Sequence, residues 1–228
     1  MDIKIIASGS SGNCYRVSDG VTSVLLDCGI PFKQIQKALN FELSSIDGVL
    51  VTHCHQDHVK SARELARIGI DVYTSKGTLT ACTLDGGRFK AIESMDTFNV
   101  GTFTVMVFDV EHDVPEPLGF LLKSNVTGEK LLYFTDTYYL KYTFKGLNYI
   151  MGECNYSIKT LNEDLNPTLR DRILESHMSL EHFVGFLQAN DLSELKEIYL
   201  LHLSNDNSDE DLFKKTVQKI TGIEVYVC

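Results

Sequence analysis

Short runs of hydrophobic and β-branched residues recur along the chain, some alternating with polar positions and some continuous. Runs of this length, bounded by glycine and polar breaks, read as strands. They fall at Ile3–Ala7, Cys14–Val17, Ser23–Leu26, Gly48–Thr52, Asp71–Tyr73, Phe103–Val110, Gly119–Lys123, Lys130–Phe134, Tyr149–Met151, Glu197–Leu201 and Glu224–Val227. Helical patterns lie between some of them: Pro31–Leu39 with proline in its first turn, Ser61–Ile68, Leu180–Ala189 behind a Ser179 cap, and Asp209–Ile220 opened by acidic residues. Hairpin-like strand pairs dominate early, and strands alternate with helices throughout. That mixture predicts an α/β sandwich, two mixed sheets packed face to face with helices outside. No Pro/Ser-rich linker, repeat or charge block interrupts the chain, so one domain over residues 1–228 is expected.

The chain has 228 residues, 43% of them hydrophobic, enough for a full core without disulfide staples. Its 31 acidic and 21 basic side chains give a net charge of −10. Such a field repels a phosphate backbone, so a long polynucleotide would need a local basic patch. The opening Met1-Asp2-Ile3-Lys4 lacks a basic and apolar leader, and no apolar run approaches the ~18 residues that span a bilayer. The six cysteines are scattered without a Cys-x-x-Cys pair and read as reduced thiols. A cytoplasmic protein without membrane attachment is expected.

Candidate chemistry is concentrated in Val49-Leu-Val-Thr-His53-Cys-His55-Gln-Asp57-His58, where a strand runs into three histidines and an aspartate. His53 and His55, two apart at a strand end, can face the same way, while Asp57 and His58 begin the next turn. Imidazoles with a carboxylate suit zinc, manganese or iron(II). Later strands deliver further ligand types as their hydrophobic runs stop: His112, Asp136 and His202. Seven such residues suffice for two divalent ions with a position left for water.

The His-x-His-x-Asp-His signature, followed in order by His112, Asp136 and His202, resembles the metallo-β-lactamase-fold hydrolases, whose α/β architecture is an αββα four-layer sandwich. The resemblance implies that His53, His55 and His112 hold one ion and Asp57, His58 and His202 a second, with Asp136 between them. Zinc is the implied metal and manganese the alternative. It also makes Asp57 catalytic as well as ligating, and has Asp27 orient ligands by hydrogen bonds. True β-lactamases of this fold carry cysteine where Asp136 stands, and diiron reductases carry glutamate where His55 stands; both activities are disfavoured.

What remains is a thioester hydrolase or a phosphodiesterase. The Gly/Ser turn Ile6-Ala-Ser-Gly-Ser-Ser-Gly-Asn-Cys14 resembles the opening of the YycJ-like exonucleases. Through it, Ser10, Ser11 and Asn13 become candidate phosphate contacts. Glu153 and His177 resemble the Glu and His elements of the tRNA 3′-processing enzymes, where the histidine protonates the leaving oxygen and the glutamate orients it. An alkoxide needs that proton and a thiolate does not, which favours phosphodiesters. Tyr138 and Tyr139, just after Asp136, are candidates for base stacking. With no room for a tRNA-gripping arm and a net negative charge, the compact chain looks similar to the anti-Pycsar phosphodiesterases of phages. The sequence reading therefore puts 3′,5′-cyclic mononucleotides ahead of DNA or RNA ends, in an enzyme expected to be a homodimer.

Overall fold

The early hairpin runs close first. In a computed structural model, which describes residues 1–162 and 165–228, β1 (Asp2–Ala7), β2 (Cys14–Ser18) and β3 (Ser23–Leu26) pair antiparallel. The sheet continues in parallel through β4 (Gly48–Leu50), β5 (Val72–Thr74) and β6 (Phe89–Ala91), in the order β1-β2-β3-β4-β5-β6. Its crossovers carry α1 (Phe32–Ala38), α2 (Gln56–Val59), α3 (Ala62–Arg67) and α4 (Lys76–Ala81). Leu25, Val49, Val51, Val72, Ile35 and Leu65 form one buried cluster of this sheet and its helices.

The chain divides into two compact units, the first comprising Met1–Asp109 with Val114–Glu129 and the second Val110–Asp113 with Lys130–Cys228. The first also holds the antiparallel ribbon β7 (Thr97–Val100), β8 (Phe103–Asp109) and β9 (Leu118–Ser124). Asp19, in the β2–β3 turn, ties that ribbon to the sheet. Its Oδ1 accepts from the amides of Val21 and Thr22, and its Oδ2 accepts from the hydroxyls of Thr102 and Ser124, both at 2.7 Å. Burial alone would raise the Asp19 pKa, but these donors outweigh it and hold the carboxyl at about 2.

The second unit is parallel: β10 (Lys130–Phe134), β11 (Tyr149–Glu153), β12 (Glu197–Leu201) and β13 (Glu224–Val227) lie in the order β13-β12-β11-β10. Its described residues include the helices α5 (Pro167–Ser176), α6 (Leu180–Ala189) and α7 (Glu210–Thr221). Ser179 caps α6 as the sequence predicts, accepting from the His182 amide. Gly152 is required where it stands, because a Cβ there would lie 2.4 Å from the Phe134 ring and 2.7 Å from that of Phe183.

Thirteen strands are found among the described residues, two more than the hydrophobic pattern predicts. The additions are β6 and β7, each with only three or four residues and at least one exposed face, so neither shows a long apolar run. The strand expected to reach Thr52 stops at Leu50, because the Thr52 amide donates to the Asp27 carboxylate instead of a neighbouring strand (2.8 Å).

Candidate metal centre and its supporting hydrogen bonds

The first unit places His53, His55, Asp57 and His58 on one turn. His55 is the residue preceding α2, in extended conformation, and Asp57 and His58 lie within that single helical turn. Asp27 organises the histidines. Its Oδ2 accepts from His58 Nδ1 at 2.8 Å, so His58 keeps its lone pair on Nε2. The Thr52 hydroxyl has one proton, directed to the Asp27 oxygens at 3.1 Å, so it must accept from His53 Nδ1 at 3.0 Å. That leaves the His53 lone pair on Nε2, which faces His55 Nδ1 across 3.1 Å.

This donor set fits a divalent ion. Two nitrogens bound at about 2.05 Å in a tetrahedral site stand ~3.3 Å apart, close to the His53–His55 separation. His58 Nε2 and Asp57 Oδ2 are 3.6 Å apart, again a spacing that two ligand atoms of one ion can adopt with little movement.

Backbone contacts hold the turn. Asn13 N donates to Asp57 O (2.7 Å), Cys28 N to His58 O (2.8 Å) and Gly29 N to Asn13 O (2.8 Å). Gly29 is packed so closely that a Cβ would stand 1.6 Å from the Asp57 carbonyl oxygen.

Asn13 itself departs from its expected role. It is fully buried, its Oδ1 accepts from Gly9 N and the Tyr15 hydroxyl, and its Nδ2 donates to Gly9 O and Asp57 O, beside His58 Nε2. It is a positioning residue for His58 and the glycine turn, with no polar atom left over for a phosphate. Ser10 and Ser11 are exposed at the tip of that turn.

In the second unit, Glu153 at the end of β11 is the organising group. Oε1 accepts from His177 Nδ1 at 2.6 Å and from His202 Nδ1 at 3.1 Å, while Oε2 accepts from the amides of Thr137 and Met178. Both histidines are thereby left with Nε2 for other chemistry. Burial would raise the Glu153 pKa, but the adjacent His177 charge and these hydrogen bonds pull it below the usual value. Burial would lower that of His177, and the Glu153 charge and hydrogen bond raise it instead. The pair is a hydrogen-bonded imidazole–carboxylate dyad in which each partner favours the charged form of the other. Asp136, Glu153, His177 and His202 each offer a ligand-type atom within 4.8 Å of the others.

His112 follows the same chemistry. Its Nε2 is 3.7 Å from Asp136 Oδ2, its Nδ1 is 3.2 Å from Ser176 O, and burial lowers its pKa despite the carboxylates of Asp136, Glu153 and Asp113, which favours the neutral ring that binds metal. Asp27, Asp136 and His202 share one backbone feature: each follows a strand with φ near +50° (54°, 48° and 53°), a left-handed conformation that aspartate and histidine adopt more readily than most residues with a side chain.

The tyrosines diverge. Tyr138 borders a cavity of about 460 Å³ that also contains His112, Thr168, Arg172 and Glu175. Tyr139 borders a separate one beside α6. Lys141 is 3.9 Å from Glu111 and lies over the Tyr142 ring. Sequence reasoning missed Thr52, whose hydroxyl relays Asp27 to His53. It also missed Asn155, whose Nδ2 donates to His202 O at 2.7 Å. Both are neighbours, within two residues, of residues already singled out.

Residues 22–202 match the family model described as the beta-lactamase superfamily domain. The chain belongs to the beta-lactamase superfamily. An exodeoxyribonuclease YycJ of Bacillus anthracis is 31% identical to this superfamily member over 236 residues, 96% of this chain and 89% of the relative. The anti-Pycsar protein Apyc1 of Bacillus phage vB_BsuM-Goe3 is 24% identical over 84% of this chain and 82% of its own. Among solved structures, the metallo-β-lactamase-fold protein YhfI of Bacillus subtilis superposes with a TM-score of 0.77 at 18% identity, covering 99% of this chain and 95% of that one. The metallo-β-lactamase fold implied by the His-x-His-x-Asp-His signature is thus the fold of this beta-lactamase superfamily chain. Among the described residues no helix is long and apolar enough to cross a membrane.

Proposed function

We propose that this protein is a metal-dependent phosphodiesterase acting on nucleotide phosphodiesters, with the ends of polynucleotide strands as its substrate. The observation that carries the reaction type is the Glu153–His177 hydrogen bond of 2.6 Å, a dyad built to deliver a proton. A thioester hydrolase has no need of it, since a thiolate departs unaided. Full-length similarity to an exodeoxyribonuclease supports polymers over cyclic mononucleotides and reverses the order favoured by net charge. Cyclic mononucleotides remain the second reading, supported by the weaker full-length similarity to an anti-Pycsar protein.

His53, His55 and His112 would hold one divalent ion, Asp57, His58 and His202 the other, with Asp136 shared; zinc and manganese both suit these donors. The ions, when bound, supply a nucleophile from water at neutral pH and neutralise charge developing on the phosphoryl oxygens. Asp27 keeps the His58 ring, and through Thr52 the His53 ring, in the ligating tautomer. Glu153 does the same for His202; by accepting from His177 Nδ1 it also favours the doubly protonated His177 ring, whose Nε2–H would protonate the departing alkoxide and leave the ring neutral.

The test is a substrate panel: manganese- or zinc-loaded protein with end-labelled single- and double-stranded DNA and RNA, and in parallel with 3′,5′-cyclic mononucleotides, using Asp136→Ala as the control. Release of mononucleotides from strand ends, absent in the control, is the expected result. Conversion of cyclic nucleotides alone would establish the second reading, and no hydrolysis of either would refute both. Size-exclusion chromatography with light scattering of the same sample checks the expected homodimer.

A further inference from the structure

The sequence contains six arginines, and three of them, Arg63, Arg67 and Arg88, line a single depression of about 240 Å³ in the first unit. The rest of its wall includes Phe89 and the Gly86–Gly87 turn, where a Cβ would meet nothing within 4 Å. All three arginines are exposed. Asp85 also lines the depression and Asp71 lies 3.1 Å from Arg88, so the patch retains a positive balance. That sign is opposite to the −10 of the whole chain.

Two of the three have partners in the fold: Arg88 Nη1 donates to Asp71 Oδ1 at 3.1 Å, and Arg63 is used in packing. Arg63 Nη2 bonds the carbonyls of Cys82 and Thr83 at 2.7 Å each, closing the loop that follows α4. That loop is joined to the ligand turn: the Cys82 thiol donates to the Cys54 carbonyl at 3.3 Å, and Cys54 stands between His53 and His55. The patch is therefore anchored beside the histidines of its own unit. Arg67 at the end of α3 and Arg88 before β6 extend it.

We propose that this depression is a sequence-independent exosite for the phosphodiester backbone of a polynucleotide substrate, an inference that rests on the polynucleotide reading above. Guanidinium groups pair with phosphate through parallel N–H donors, and each phosphate neutralised releases condensed counterions. The side-chain-free Gly86–Gly87 turn leaves room for a strand to approach. The site supplies the local basic patch that a chain of this net charge needs in order to hold a polyanion.

The experiment measures binding of a fluorescent, hydrolysis-resistant phosphorothioate 15-mer by metal-loaded wild type, R67A/R88A and R67K/R88K across a salt series. R67A/R88A is expected to bind ~10-fold more weakly near 50 mM salt, with a salt slope shallower by about 1.4. Turnover of the small diester bis(p-nitrophenyl) phosphate is expected to be unchanged, and the lysine variant to recover most of the slope. Equal affinity and slope in wild type and R67A/R88A would overturn the proposal, as would a wild type that does not bind the oligonucleotide or a lysine variant that recovers nothing. Cleavage of an ordinary 15-mer is scored in parallel. Arginine-dependent binding without cleavage would leave the exosite standing and remove the polynucleotide function, and cleavage with arginine-independent binding would do the reverse.

Discussion

Replacing Gly29 by alanine tests whether the ligand turn is held by close backbone contact. The added Cβ would lie 1.6 Å from Asp57 O, 1.9 Å from Asp57 C and 2.5 Å from His58 N, whereas Cβ atoms essentially never approach closer than 3.0 Å. The Asp57 carbonyl must therefore retreat by about 1.4 Å, and it carries Asp57 and His58 with it. The retreat strains the Asn13–Asp57 and Cys28–His58 backbone bonds, at 2.7 and 2.8 Å. Two lost hydrogen bonds at about 1 kcal/mol each, with an overpacking cost of about 2 kcal/mol, give a destabilisation near 4 kcal/mol. For a chain of this size that lowers the unfolding midpoint by roughly 8–16 °C. Ligands displaced by more than an ångström should also cost about 100-fold in turnover. Differential scanning fluorimetry, metal content and hydrolysis of bis(p-nitrophenyl) phosphate give the readouts. Gly87→Ala, at a position with open space, is the control and should be neutral. A Gly29→Ala protein with wild-type midpoint, metal content and activity would refute the reasoning.

Three further outcomes are expected. His177→Ala should lose about 100-fold or more on a natural nucleotide diester, whose alkoxide leaving group needs a proton, and much less on a p-nitrophenyl diester, whose leaving group does not; equal losses on both would assign the dyad another role. Asp19→Asn should alter the acid limb of stability. Because the folded pKa of Asp19 is depressed to about 2, its contribution is complete above the unfolded value near 4 and disappears as pH falls from there through about 2. The variant should be less stable than wild type at neutral pH and converge with it towards pH 2 in urea titrations. Chelation should abolish hydrolysis and lower the unfolding midpoint by roughly 5–11 °C, given about 2.7 kcal/mol from an ion present at a hundred times its dissociation constant. Both effects should reverse on adding back zinc or manganese.

Strands with a continuous apolar face and residues of distinctive chemistry were the legible parts of the sequence. Lys130–Phe134 and Glu197–Leu201 were bounded to the residue because every position after the first is buried, so the apolar run is continuous over the strand. α5 was missed although Asn166 caps it and Pro167 opens it, since its residues are mostly exposed and no apolar stripe marks its length. The short α2 and α4 lack the two turns that periodicity requires. Asn13 was misjudged because a polar residue in a glycine turn looks the same in sequence whether it faces solvent or is buried against a histidine. Thr52 was invisible for the opposite reason: inside a hydrophobic run it reads as a strand residue, and only the position of Asp27 makes its hydroxyl a relay.

The left-handed backbone shared by Asp27, Asp136 and His202 restricts how this scaffold can diversify. Near φ +50°, aspartate, asparagine, histidine and glycine are tolerated, whereas a β-branched or bulky replacement adds roughly 1–3 kcal/mol of strain before any ion is considered. A new metal preference or a new reaction at these three loops must therefore be acceptable to the main chain as well as to the ion. Libraries that randomise these positions without regard to that filter will carry backbone strain in their β-branched and bulky members, whereas variation at His53 or His55, where φ is negative, will be sorted chiefly by coordination chemistry.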